Sequence, residues 1–127
     1  MKEFVLIFRM DILTKEVQPS PEQMELYMTK WMEWINDISA QNQLADGGNH
    51  LSYSGKVLRP NNIMTDGPYP LNKESVAGYI IILAKDVDDA VRIAKKCPIL
   101  QGVGTSVEVR ETATSGTIKT TERSTTH

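Results

Sequence analysis

The sequence predicts an α+β fold, a ferredoxin-like βαββαβ sandwich of one sheet and two helices, followed by a Ser/Thr-rich C-terminal tail. Three observations carry this expectation. Phe4 to Phe8 and Val76 to Ala84 read as strands with apolar residues on both faces. Two stretches of helical periodicity, each opened by a capping residue, separate the strand-like runs. The order strand, helix, strand, strand, helix, strand puts the first and third strands at the centre of such a sheet, and these are the two with apolar residues on both sides.

The elements follow in chain order. Phe4-Val5-Leu6-Ile7-Phe8 continues through Arg9 and Met10 into a polar loop. Ser20-Pro21-Glu22-Gln23 then opens a helix: Ser20 can cap, Pro21 suits the first turn, Glu22 suits the positive end, and Gln23 completes a capping box. Met24, Tyr27, Met28, Trp31, Ile35 and Ile38 recur at three- and four-residue steps and predict one buried stripe. Ala45-Asp46-Gly47-Gly48-Asn49 is turn chemistry, with both glycines free to take positive φ. Up to Glu74 only short strand-like pieces follow, at Leu51-Ser52-Tyr53, Lys56 to Arg59 and Ile63-Met64. A structureless loop of that length is unusual in a compact domain, so the segment is expected to form short strands or hairpins over the sheet's end.

After the Val76–Ala84 strand, Asp86 caps a second helix whose predicted stripe is Val87, Ala90, Val91, Ala94 and Cys97. Lys95 and Lys96 stand at its negative end, and Pro98 stops it. Thr105 to Glu111 alternates, with Val107 and Val109 facing in and Ser106, Glu108 and Arg110 facing out, as in an edge strand with one wet face. The domain is expected to span 1–111. From Thr112 to His127 nine of sixteen residues are Ser or Thr, so 112–127 is expected to be a flexible tail outside the core. If both helices cover one face of the sheet, its other apolar face needs cover as well. A second copy of the sheet is the simplest cover, and a homodimer is expected.

The totals bound the function. With 127 residues, 40% hydrophobic and 24% charged, the chain suits one ordinary globular domain that needs neither metal nor disulfide to fold. A net charge of −2 gives no electrostatic reason to seek nucleic acid or anionic lipid. The apolar runs are too short to cross a membrane, and no signal peptide opens the chain. A lone cysteine, Cys97, excludes an intrachain disulfide and makes the cytoplasm the default location.

Thr65-Asp66-Gly67-Pro68-Tyr69, Lys73-Glu74 and Gly78-Tyr79 together resemble the DGPF branch of the YCII-related proteins. Trp31, Asp46-Gly47-Gly48, Asp88-Asp89-Ala90, Cys97-Pro98 and Val107-Glu108-Val109-Arg110 extend the likeness over roughly residues 1 to 111. The resemblance implies a ferredoxin-like fold that dimerises into an α/β barrel. It also implies that some relatives use a histidine–aspartate pair, with the histidine at the start of the first helix. Pro19 to Tyr27 holds no histidine here, so that pair does not carry over. Some DGPF-type proteins are encoded near, or joined to, alternative sigma factors.

Candidate catalytic residues are Asp66 and His50. Asp66 before Gly67-Pro68 either folds back as an Asx-turn or offers a carboxylate at the lip of a pocket beside Tyr69 and Tyr79. His50 is the one imidazole in the folded part, and is either solvated or part of a new pair with Asp66. Arg9, Tyr69, Lys73 and Tyr79 are the candidate ligand-binding residues. Against these stand bland readings: Arg9 paired with Glu108, Lys73 paired with Glu74, the tyrosines in the core. Trp31, Trp34 and Met28 read as packing, and Cys97 as core. No cofactor is expected, since no phosphate loop appears and two histidines with one cysteine make no ligand-spaced metal cluster. The chain is therefore expected to be a small dimeric protein binding a small molecule near the Asp-Gly-Pro turn, with a cofactor-free lyase or isomerase activity in keeping with that. The alternative is a non-catalytic module that regulates a protein partner such as a sigma factor.

Overall fold

The structure, a computed structural model, describes residues 1–11, 14, 18–68, 70, 71 and 74–113, the side chains of 70 and 71 excepted. Tyr69, Lys73 and residues 114–127 of the expected tail lie outside the described residues.

Among the described residues seven strands and two helices follow one another as β1 (Lys2–Asp11), α1 (Pro21–Ala40), β2 (Leu44–His50), β3 (Lys56–Arg59), β4 (Ile63–Asp66), β5 (Pro70–Leu71), β6 (Glu74–Ala84), α2 (Val87–Ala94) and β7 (Thr105–Glu111). A single 3₁₀ turn, Pro98–Gln101, lies between α2 and β7. The main sheet runs β2-β6-β1-β7, with β5 folded back on the start of β6, and β3 pairs only with β4 as a separate hairpin. All pairings are antiparallel. The fold is α+β, and its strand order is compatible with a ferredoxin-like arrangement. β1 and β6 are central, as their composition requires.

Phe4, Leu6 and Phe8 on β1 and Ile80, Ile82 and Ala84 on β6 share one face. There they pack against Trp31, Trp34 and Ile38 of α1 and Ala90, Ile93 and Ala94 of α2. Each large side chain taken fully out of water here contributes on the order of 1.5–3 kcal/mol. Phe8 meets the edges of Trp31 and Trp34 at 4.9 and 6.0 Å between ring centroids. The Trp34 Nε1–H donates to the carbonyl of Ile93 at 3.2 Å, which ties α1 to α2. On the opposite face Val5, Ile7, Tyr79, Ile81 and Leu83 are half-buried.

The helix start is as the sequence demands: Ser20 Oγ accepts from the Gln23 amide, and Gln23 Oε1 accepts from the Ser20 amide. The stripe differs. Met24 and Met28 are exposed, and burial begins only at Trp31, because the first half of α1 faces a cavity rather than the sheet. On α2, Val87 is exposed and Ile93 takes the buried position. That helix ends at Ala94, so Cys97 is buried beyond it, at the start of the 3₁₀ turn.

The largest correction concerns Ala45 to Asn49, which form an irregular edge strand within β2 rather than a turn, while Leu51 to Tyr53 are loop. The register against β6 shifts twice, between Leu44 and Asp46 and between Asp46 and Asn49. Asp46 Oδ1 accepts the Gly48 amide at 2.7 Å, an Asx-type kink inside the strand. Of the two glycines only Gly48 has positive φ, at 62°. A Cβ there would lie 1.7 Å from the Tyr79 carbonyl oxygen, and one at Gly78 would lie 2.6 Å from that of Asn49. The glycines therefore serve close approach of two backbones. The chain reverses earlier, where Asn42 takes a φ of 59°.

The expected β-hairpin pieces exist at Lys56–Arg59 and Ile63–Asp66, turned by Asn61 and Asn62, both with positive φ. β7 pairs with β1 at the sheet edge, and Val107 and Val109 reach the core. Among the described residues no helix is long and apolar enough to cross a membrane.

Candidate functional site

The site forms where β1 ends and where three segments leave the sheet. Between Phe8 and Arg9 the register against β6 slips: Phe8 faces Gly78, but Arg9 faces Val76. Ala77 is thus the extra residue of a bulge, a device that re-aims side chains near sites. Its carbonyl accepts the Leu51 amide at 2.7 Å, which holds the start of the loop after β2 against β6. The Asp11 amide donates to Gly104 at 2.9 Å and joins the end of β1 to the approach to β7. Asp11 Oδ1 also accepts the Thr14 amide at 2.9 Å.

Around this point lies a cavity of about 660 Å³, within the size range of small-molecule sites. Met24, Tyr27 and Met28 wall it from α1, and His50 at the end of β2 and Leu51 to Tyr53 of the loop after it wall it from a second side. Met10, Asp11 and Ala77 come from the sheet, and Pro98 to Thr105 close the remaining side in part. The lining is largely apolar. Methionine is well suited to such a wall because its flexible, polarisable thioether adapts to irregular shapes.

His50 ends β2 opposite Gly78 and lines the cavity. Its ring lies 5.1 Å from that of Trp31, inclined at 57°. Trp31 in turn meets Trp34 at 5.2 Å and Tyr27 at 6.0 Å, so His50 is the outermost member of an aromatic cluster. Burial, with a smaller contribution from Cys97, raises the Tyr27 pKa above the ordinary phenol value. Tyr27 therefore stays protonated at the wall. Burial likewise pushes the Cys97 thiol up to about 12, against a smaller lowering by its hydrogen bond to the Ile99 backbone. Cys97 is an inert core thiol.

The other sequence candidates are placed as follows. Asp66 ends β4, its side chain 88% exposed, and accepts from Lys56 Nζ at 2.6 Å across the hairpin. It is not among the residues lining the cavity. Gly67, at φ 84°, makes the turn after it, and its amide donates to Gly55 at 2.7 Å. Arg9 Nη1 donates to Glu108 Oε1 at 2.5 Å, the pair weighed from sequence. That hydrogen bond, before the Arg9 and Arg110 charges, holds the Glu108 carboxyl below the usual range. Tyr79 is half-buried on β6 opposite Ile7, on the sheet face away from the helices. Glu74 accepts from Ser106 Oγ at 3.0 Å. Among the described residues no three His, Cys, Asp or Glu side chains converge as metal ligands.

The structure thus brings His50 to the cavity together with Tyr27, Lys30 and Tyr53, which were not singled out as site residues. A signal for Tyr27 existed in the helical stripe, whose first half is methionine and tyrosine and whose second half is tryptophan and isoleucine, whereas Lys30 and Tyr53 had none. Reading the whole stripe as core concealed the change.

A model of the YCII-related domain matches residues 9–113. No curated protein matches the chain.

Proposed function

The chain belongs to the YCII-related family, and on that premise we propose that it is a small-ligand-binding protein that works as a homodimer. The observation that carries the binding role is the cavity of about 660 Å³ beside His50, apolar in its walls and with an aromatic cluster behind it. Apolar pockets with a few convergent polar groups are where proteins of this size hold small molecules.

Binding rather than catalysis is the role favoured by the titratable groups. Asp66, the carboxylate proposed from sequence as a base, is engaged with Lys56 on the exposed hairpin. Proton transfer needs a base within hydrogen-bond reach of the substrate, and Asp66 lies off the cavity lining. His50 is the group at the wall that would contact a ligand directly, as a hydrogen-bond donor and a stacking surface.

The homodimer is supported by the sheet face that neither helix covers. Val5, Ile7, Tyr79, Ile81 and Leu83 form an apolar centre there, bordered by Arg9, Glu108 and Arg110. An isologous pairing of two such faces would bury both at once.

The binding role is tested by ligand-observed NMR with neutral apolar and aromatic fragments, followed by assignment of shifted resonances. Shifts at His50, Leu51, Tyr53 and Tyr27 are expected. Saturable shifts elsewhere only, or none at millimolar fragment, would remove the reading.

A further inference from the structure

We propose that the cavity selects a small organic monocarboxylate with an apolar body, its carboxylate held by Lys30 and His50. The inference rests on the cavity being a ligand site and adds the class of ligand.

Its basis is an imbalance among the polar groups of the wall. Lys30 lies on α1 one turn after Tyr27, half-buried, and lines the cavity. Among the described residues its ammonium has no carboxylate within ion-pair distance, although four other cation–carboxylate contacts occur among them. Glu33, one turn further along and lining a smaller cleft with Lys30, makes no ion pair with it. The His50 imidazole touches Trp31 but has no hydrogen-bond partner among the described residues. Among the described lining residues the one carboxylate is Asp11, whose Oδ1 accepts the Thr14 amide. The uncommitted charge and donor at this wall are therefore both suited to an anion.

The number and kind of donors narrow the class. A phosphate dianion is usually met by several backbone amides or a guanidinium fork, and the described lining residues include no arginine. One ammonium and one imidazole N–H match the single charge and two oxygens of a carboxylate. The rest of the ligand must be apolar, because it meets Met10, Met24, Met28, Leu51, Tyr27 and Tyr53.

The test compares 4-phenylbutyrate with its neutral amide, 4-phenylbutyramide, by calorimetric or NMR titration of the full chain at neutral pH. The acid is expected to bind about tenfold more tightly than the amide, the scale of one charge-assisted contact. Lys30→Gln should weaken binding of the acid by most of that factor and so bring it close to the amide's, with circular dichroism confirming the fold. Lys2→Gln, on the sheet and away from the cavity, should leave the advantage intact. Equal binding of acid and amide would overturn the carboxylate inference alone. So would a preference that survives Lys30→Gln combined with His50→Asn. Binding of neither compound would overturn it together with the cavity reading beneath it.

Discussion

The imidazole of His50 leans on the indole of Trp31, the ring centroids 5.1 Å apart. One ring is exposed and the other is 6% exposed, so the pair couples the cavity wall to the core. His50→Ala removes only the outer ring and should cost less than about 1 kcal/mol of stability. Affinity for the cavity's ligand should fall. Denaturant unfolding followed by tryptophan fluorescence, alongside fragment titration, separates the two effects. A large loss of stability would show that His50 is a packing residue.

The approach of β2 to β6 depends on Gly48. Alanine there would put its Cβ against the Tyr79 carbonyl and force a positive φ on a residue that resists it. Gly48→Ala should destabilise by at least about 2 kcal/mol. At Gly47 a Cβ meets nothing within 4 Å, so Gly47→Ala should change stability by no more than about 0.5 kcal/mol. Paired urea denaturation curves distinguish the sites.

Sedimentation equilibrium should give a mass near twice the 14.2 kDa of the chain. Ile81→Glu, on the uncovered face opposite Val5, should shift the species to a monomer that remains folded, because the charge can stay hydrated once the copies part. A monomeric parent protein would defeat the dimer proposal.

Glu108 makes part of the stability pH-dependent. Its folded pKa is depressed, chiefly by the Arg9 hydrogen bond. The contribution is complete above the ordinary glutamate value of 4.5 and is lost as the pH falls through the lower folded value. Glu108→Gln should therefore reduce stability at pH 7 and flatten its decline below pH 4.5. Both carboxylate partners are partly exposed, so the effect should be small and should shrink further in high salt. An unchanged acid limb would mean the pair contributes nothing.

With its thiol raised to about 12 and the residue 2% exposed, Cys97 should react with a thiol reagent only when the protein opens. Labelling at pH 8 should be slower by orders of magnitude than for the same chain in denaturant. Its rate should rise with urea in step with unfolding. Fast native labelling would place the thiol at the surface.

Much of the architecture is a local consequence of the sequence. The Ser20–Gln23 capping box, the two central strands, the alternation of β7, the helices' shared face and the buried Cys97 each follow from residues within a few positions of one another. Strands with apolar residues on both faces fit the middle of the sheet, where layers above and below cover them most fully. The family was legible for the same reason: its motifs are short and contiguous.

What tertiary structure decided is everything that depends on two distant segments meeting. Gly47-Gly48 carries the chemistry of a turn, and only the Tyr79 backbone opposite makes it an edge strand. Where the helix leaves the sheet fixed which half of its stripe is buried, and so converted Met24, Tyr27 and Met28 from expected core to cavity wall. Asp66 and His50 come within sixteen positions of each other in the chain, yet one faces Lys56 on the hairpin and the other faces Trp31 at the cavity. Sequence spacing cannot set that separation, because side-chain direction is fixed by strand register and by the bulge at Ala77.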